Sequence, residues 1–118
     1  LPETQSQRQP GSSSEIWARL ADLLAGDLDF QGAETGYASH QFHSFAAKFP
    51  PQLPRLFIRN LSKVGQIVLD PMAGSGTTVV EAALLGRLGI GVDLDPLAVQ
   101  IGRAKTTEVP GADLARAA

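Results

Sequence analysis

The chain has 118 residues, no cysteine and a formal net charge of −2 at pH 7. The length fits one domain at most, and the missing cysteine excludes disulfides, thiolate zinc sites and a cysteine nucleophile. The charge argues against a generally basic nucleic-acid-binding surface, and the sequence has neither a signal peptide nor an apolar run near the ~20 residues that span a bilayer. The missing cysteine fits a protein of the cytosol, so we predict a cytoplasmic location.

The first part of the chain is predicted to contain one helix. Residues 1–14 are rich in Ser, Gln and Pro, so we expect a disordered lead. Ser12 and Glu15 then form a capping-box pattern, and apolar residues at helical spacing predict a helix over 15–25. This helix and the glycine-containing loop after it make up a segment over 15–42.

The segment over 43–107 alternates helices and strands. Its order of strand, glycine loop, helix and strand is typical of a βαβ unit with two parallel strands, which we expect to be buried. The predicted fold class is therefore α/β, a partial Rossmann-like parallel sheet with flanking helices, incomplete, followed by a tail over 108–118. The predicted helices are 52–63, 77–86 and 96–105, and the predicted strands are 66–70 and 88–93.

The glycine loop lies in "LDPMAGSGTT", residues 69–78. It is not a P-loop, because no Gly-Lys-Ser/Thr follows, and the third glycine of the dinucleotide fingerprint is replaced by Val79. Asp70 would repel a pyrophosphate but attract the ammonium group of S-adenosylmethionine. The carboxylate of that cofactor can take the helix N-terminus and the hydroxyl of Thr77 or Thr78.

A second acid follows the second predicted strand. The distance of Asp93 from the loop suits an acceptor for ribose hydroxyls, whereas we expect Asp95 to cap the next helix. Asp70, Gly74, Gly76 and Asp93 would each, taken alone, be structural more often than functional. Together, at these places in a βαβ unit, they indicate a cofactor-binding loop rather than a bare turn.

The stretch "VLDPMAGSGTTVVEAALLGRLGIGVDLDPLA" resembles the cofactor-binding part of class I S-adenosylmethionine-dependent methyltransferases. The form "DPxxGSGTT" is similar to that of enzymes that methylate exocyclic amino groups of cytosine (N4) or adenine (N6) in DNA. The preceding "HSFAAKFPPQLPRLFI", residues 43–58, resembles the segment that packs over the methionine end of the cofactor in that family. RNA guanine-N2 methyltransferases have similar loops, and "AAKFPP" favours the DNA group.

The resemblance implies a role for each matching residue. Asp93 would hold the ribose, and Leu94 would lie against the adenine. The methionine pocket would be shaped by Asp70, Met72, Ala73, Gly74 and Gly76, and Phe45, Lys48 and Phe49 would belong to the preceding segment. The predicted cofactor-binding residues also include Ser75, Thr77 and Thr78.

The motif that places the target amine in these enzymes is missing. It has the form Asp/Asn/Ser-Pro-Pro-aromatic and holds the flipped base, but the only Pro-Pro pair, Pro50-Pro51, follows Phe49 and does not match. We therefore predict no catalytic residue and interpret the chain, which does not begin with Met, as the cofactor-binding fragment of a DNA methyltransferase. The motif would lie downstream of this stretch, upstream of it as in a permuted relative, or on a complementary chain. The alternatives are part of an RNA guanine-N2 methyltransferase, a non-catalytic split subunit and a remnant without a ligand.

Positive charge recurs every four residues at Arg55, Arg59 and Lys63, and no acid lies between Glu34 and Asp70. Such a stripe on the 52–63 helix can contact a phosphate backbone, although a solvated helix face is the more common meaning.

Two histidines, His40 and His43, are spaced by three in a predicted loop. Two of the ligands that a metal needs would be present, but the sequence offers no third nearby. We therefore predict surface or capping histidines and no metal site. An alternative role for His43 is contact with the cofactor.

Overall fold

The computed structural model describes residues 12–43, 48–108 and 110. Most of the predicted lead, and the predicted tail from residue 111 on, lie outside the described residues. None of the helices in these ranges has both the length and the apolar character that a membrane crossing needs. The elements are α1 (Ser13–Ala25), α2 (Gln52–Leu61), β1 (Ile67–Asp70), α3 (Thr77–Leu84), β2 (Leu88–Gly91) and α4 (Pro96–Thr106).

The two strands pair in parallel, with Ile67 opposite Leu88 and Asp70 opposite Gly91, and α3 connects them. This confirms the predicted α/β class and βαβ unit. β2 ends two residues earlier than predicted, but backbone bonds continue the pairing: the N–H of Val92 donates to the carbonyl of Asp70 at 2.9 Å. The chain therefore leaves both strands at the same edge of the sheet, where cofactors bind in open α/β folds.

The expectation that both strands are buried is wrong for one face of the sheet. Ile67, Leu69, Leu88 and Ile90 are 63%, 61%, 60% and 42% exposed. Residues two apart in a strand point to the same face, and α3 packs on the opposite one. Because nothing in the described part of the chain covers these four side chains, an apolar face is open to solvent.

The covered face of β2 consists of glycine. A Cβ atom on Gly89 would lie 2.9 Å from Cγ1 of Val79 and 3.1 Å from its Cα, and one on Gly91 would lie 2.9 Å from Cβ of Ala73. Contacts that short do not occur between carbon atoms, so a larger residue would push α3 away from the strand. The two glycines let helix and strand approach closely, which fixes the loop between them.

The core lies between the helices, since α3 packs against α2 on one side and α4 on the other. This arrangement buries side chains from all three helices and leaves the strands with little share in the core. The buried apolar residues are Ile58, Val80, Ala82, Ala98 and Ile101.

Four helix ends differ from their predictions: α3 ends at Leu84 rather than at 86, α4 ends at Thr106 rather than at 105, and the other two ends have a visible cause. α1 begins at Ser13, two residues earlier than predicted, and the capping box does not form, because the Ser12 hydroxyl bonds that of Ser14 at 2.8 Å. α2 ends at Leu61, before the predicted 63. There the guanidinium of Arg87 donates to the carbonyl of Ser62 at 2.7 Å, and the chain turns to an extended conformation.

Candidate functional site

The loop between β1 and α3 depends on two glycines in the left-handed region. Gly74 has φ 50° and Gly76, directly before α3, has φ 84°. Residues with a Cβ atom rarely adopt this conformation. A Cβ atom on Gly76 would also lie 3.0 Å from Cα of Gly102 in α4. The backbone of the loop is therefore fixed by its own conformation and by close packing against α4.

Asp70 lies at the carboxyl end of β1, half-buried at the entrance to the loop. Its Oδ1 accepts a hydrogen bond from the N–H of Met72 at 3.0 Å. The Met72 side chain is largely exposed. The carboxylate thus stands at the first turn of the loop with one of its oxygens engaged by the backbone.

Asp93 joins the second strand to the glycine loop. Its Oδ2 accepts from the N–H of Gly74 at 2.7 Å and its Oδ1 from the N–H of Asp95 at 2.9 Å. These bonds, that from Asp95 first, lower the pKa of Asp93 below its ordinary value of 3.8. Asp93 is therefore ionised at neutral pH. Its carboxylate also holds the glycine loop in place through the bond from Gly74, a contact that the sequence did not reveal.

Leu94 and Asp95, the two residues after Asp93, have different environments. Leu94 is fully exposed. Asp95 caps α4, accepting from the N–H of Leu97 at 2.9 Å, which confirms its predicted role. A cavity of about 160 Å³ lies between the loop and α4, lined by Gly74, Asp93 and Gly102 among others.

A second cavity, of about 360 Å³, lies between the segment before α2 and the start of α3. Lys48, Phe49 and Thr77 all line it, so the structure brings together two predicted residues of that segment and one of the loop. The ammonium of Lys48 donates to the carbonyls of His40 and His43 at 3.0 and 3.3 Å. Phe45 lies outside the described residues.

The hydroxyl-bearing residues at the start of α3 are more buried than the loop before them. Ser75 and Thr77 are buried and Thr78 is half-buried. Within the described ranges, the Ser75 hydroxyl has no hydrogen-bond partner. A buried hydroxyl without a partner is costly.

The most buried charged group was missed by the sequence reasoning. Glu81 of α3 has no exposed surface, and its carboxylate accepts three hydrogen bonds. Oε1 accepts from the Tyr37 hydroxyl at 2.6 Å and from Nε2 of His40 at 2.8 Å, and Oε2 accepts from Nη1 of Arg55 at 2.9 Å. We call these four residues the Glu81 cluster.

The protonation states in the Glu81 cluster follow from its burial. Desolvation, then Glu81, raises the pKa of Tyr37 to about 12, so its hydroxyl stays neutral and donates. Burial lowers the pKa of His40, although the bond to Glu81 opposes this, and its ring is neutral at pH 7. The hydrogen bond to Glu81 raises the pKa of Arg55. The cluster therefore places two neutral donors and one cation, Arg55, around the carboxyl group of Glu81.

The cluster changes two sequence-based interpretations. His40 is buried rather than a surface or capping residue, whereas His43 is exposed. Arg55 pairs with Glu81 and lies 5.8 Å from the centre of the Tyr37 ring, so it is not a free member of the basic stripe. Arg59 and Lys63 are exposed, and their contact with nucleic acid stays a prediction.

Lys63 also falls beyond the end of α2, so it does not continue the helical face that was predicted to bear the basic stripe. No three metal-ligating side chains come together in residues 12–43, 48–108 and 110.

Comparison with known families gives one match. A family model described as DNA methylase, of the N6/N4 methyltransferases, matches residues 3–104. The Type II methyltransferase M.MjaII of Methanocaldococcus jannaschii is 38% identical over 82 residues, which are 70% of this chain and 15% of that protein. M2.DpnII of Streptococcus pneumoniae is 36% identical over 75 residues, 60% of this chain and 28% of that protein. The chain thus spans well under a third of these relatives.

Several solved structures are similar. PvuII DNA methyltransferase, which is cytosine-N4-specific, matches with a TM-score of 0.52 and 20% identity over 98% of this chain and 34% of its own. A candidate DNA modification methylase from Thermus thermophilus matches with a TM-score of 0.50 and 32% identity, over 94% of this chain and 41% of its own. The first likeness concerns the fold alone and confirms the predicted partial Rossmann-like fold of class I methyltransferases.

Proposed function

Because the chain belongs to the DNA methylase family of N6/N4 methyltransferases, we propose that it is the cofactor-binding portion of a site-specific DNA methyltransferase. Its ligand would be S-adenosylmethionine, and the methyl acceptor of the complete enzyme an exocyclic amino group of cytosine or adenine. The observation that carries the proposal is the meeting of Asp70, the glycine loop and Asp93 at one edge of the parallel strands. A DNA substrate agrees with the cytoplasmic location that the sequence predicts.

The charges at this edge support a cofactor with a cationic end. Asp70 offers a carboxylate to an ammonium group, and the start of α3 offers unpaired N–H groups to a carboxylate. A pyrophosphate beside Asp70 would meet like charge. In this proposal Lys48 and Phe49 cover the methionine end, and Phe45 belongs to the same segment.

Asp93 retains the capacity to bind a ribose. A carboxylate has about four acceptor positions, and backbone N–H groups of Gly74 and Asp95 use one on each oxygen. The remaining positions can accept from two ribose hydroxyls, with the exposed Leu94 beside the adenine. Because Asp93 is ionised, these would be charge-assisted bonds, which are stronger than hydrogen bonds between neutral groups.

We propose no catalytic residue. When bound, S-adenosylmethionine would supply an activated methyl group: the amino nitrogen of a flipped base would bond to the methyl carbon as the bond from carbon to sulfur breaks, with the thioether S-adenosylhomocysteine as leaving group and the amino proton released. The Pro50-Pro51 pair has a structural role here, since Pro51 directly precedes α2 and is buried. The motif that holds the target base would come from another segment or chain, and we expect no methyl transfer from these residues alone.

The family match favours DNA over the RNA guanine-N2 alternative, because the matching family model is a DNA methylase. The split-subunit and remnant alternatives differ from the proposal in cofactor binding and in turnover. A split subunit binds S-adenosylmethionine and transfers methyl only with its partner, and a remnant does not bind at all.

Calorimetric titration of the folded chain with S-adenosylmethionine and with NAD tests the proposal. We expect selective binding of S-adenosylmethionine, weakened about tenfold by Asp93→Asn, which removes one charge-assisted acceptor. Asp95→Asn is the matched control, because it removes the same charge two residues away and Asn still caps a helix. Equal affinity for NAD, or a folded chain that binds neither ligand, would contradict the proposal.

A further inference from the structure

Glu81 is the only buried carboxylate in the described residues, and three donors from outside its own helix surround it. A buried carboxylate is costly unless it is paired and hydrogen-bonded. An apolar residue would fill the same place in α3, whose neighbouring positions Val80 and Ala82 are apolar and buried. The carboxylate at position 81 is therefore best explained by the residues that it binds.

The carboxylate holds a segment that lacks regular structure. Residues 26–43 and 48–51 form only turns, bends and extended chain. Tyr37 and His40 attach this segment to α3 through Glu81, and the Ser39 hydroxyl attaches it to α4 by donating to the carbonyl of Lys105 at 2.9 Å. Without a ladder of backbone bonds, the position of such a segment depends on side-chain contacts.

The segment leads directly to the cavity beside the glycine loop. Glu81 stands one turn after Thr77, the first residue of α3, and His40 lines the same cavity as Thr77, Lys48 and Phe49. The ammonium of Lys48 donates to the carbonyl of His40 at 3.0 Å. His40 therefore links Glu81 to Lys48, since its side chain bonds Glu81 and its backbone carbonyl accepts from Lys48.

We propose that Glu81 is a positioning residue: it anchors the segment around Tyr37 and His40 to α3 and so holds Lys48 and Phe49 beside the start of that helix. The anchoring follows from the contacts of Glu81, His40 and Lys48 given above. Its effect on cofactor affinity rests on the proposed function, in which Lys48 and Phe49 cover the methionine end. Glu81 itself does not line the cavity and acts only through its partners.

Hydrogen exchange measured by mass spectrometry separates anchoring from general stabilisation. In Glu81→Ala we expect amide exchange in 33–43 to rise at least tenfold, while exchange in β1 and β2 changes less than twofold. Glu81→Gln keeps an acceptor for Tyr37 and His40 and should restore most of the protection. Glu15→Gln changes the same residue type on the exposed side of α1 and should have no effect.

A milder variant covers the case in which Glu81→Ala unfolds the chain. Tyr37→Phe removes one donor and keeps the ring, so exchange in 33–43 should rise about threefold with the strands unchanged. An equal rise in the strands and in 33–43 would mean that the cluster only stabilises the fold. Exchange in 33–43 that stays unchanged in Tyr37→Phe would also overturn the proposal.

Titration with S-adenosylmethionine supplies the second readout. We expect the Kd to rise about tenfold in Glu81→Ala and less in Glu81→Gln, with Glu15→Gln equal to the parent chain. If the parent chain does not bind, the proposed function fails, while the exchange experiment still decides whether Glu81 positions the segment. Loosening of 33–43 without a change in Kd would show that the anchor does not serve the cofactor site.

Discussion

The glycine loop and the segment before α2 border the same helix, α3, but they are held in place by different means. The loop is fixed by backbone conformation: Gly76 is left-handed and its Cα lies close to that of Gly102. The segment is fixed by side chains that meet at Glu81. We therefore expect the loop to be sensitive to added side-chain volume at Gly76, and the segment to be sensitive to loss of the Glu81 carboxylate or its donors.

The largest expected effect is in the Glu81 cluster. Within the described ranges, Arg55→Gln removes the only cation bonded to a fully buried carboxylate, and breaking a buried pair from one side costs about 3 kcal/mol of the free energy of unfolding. Urea denaturation measures the loss. Arg59→Gln, one turn further along α2 and exposed, should change stability by less than about 0.5 kcal/mol. Equal losses in the two variants would mean that the segment does not depend on this charge.

A smaller effect is expected in the glycine loop. Gly76→Ala places a Cβ atom on a residue with φ 84° and 3.0 Å from Cα of Gly102, and should cost about 2–3 kcal/mol. Gly65→Ala is the control, because Gly65 has φ 83° and nothing within 4 Å of an added Cβ, so it should cost only about 1–2 kcal/mol. If urea denaturation gives the same loss for both, close packing against α4 does not fix the loop.

The smallest expected effect is a pH dependence of stability that comes from His40 in the Glu81 cluster. Burial lowers the pKa of His40 below its ordinary 6.5, with Glu81 opposing and Lys105 and Lys48 adding to the shift. As pH falls through 6.5, the imidazole of His40 is protonated in the unfolded chain but remains neutral in the folded chain, because its folded pKa is lower. The free energy of unfolding therefore decreases as pH falls, with a slope of at most about 1.4 kcal/mol per pH unit.

Urea denaturation between pH 7.5 and 5.5 measures this slope. His40→Gln keeps a donor for Glu81 but does not titrate, and its stability should be nearly flat over the range. A parent chain with no slope would contradict a neutral, buried His40.

Sequence reasoning succeeded where structure is set by neighbours along the chain. The βαβ order, the glycine turn and the cap at Asp95 all follow from local patterns. The likeness of the fold to class I methyltransferases was also recognisable, because the loop that carries it is continuous in sequence. The roles of individual residues at the loop remain predictions, and the titration above is their test.

Sequence reasoning failed where the position of a residue depends on partners that are distant in the chain. Glu81 is bonded to residues 44, 41 and 26 positions away, which no local pattern reveals, although a signal was present. Glu81 is the only acid between Asp70 and Asp93 and stands in an otherwise apolar helix, and the long acid-free stretch before Asp70 contains bases that need a partner. The strand burial was wrong for a related reason, since burial depends on what covers a face and not on the residues that form it.

The spacing of these contacts has a consequence for the order of folding. Ile67 pairs with Leu88, 21 positions further along, so the βαβ unit closes a shorter loop than the 41 and 44 residues that separate His40 and Tyr37 from Glu81. The entropy of closing a loop grows with its length, and Glu81 reaches its buried position only once α3 packs on β2. We expect the βαβ unit to form as the nucleus of folding and the segment before α2 to dock onto it afterwards, as the last part of the chain to become ordered and the first to be released on unfolding.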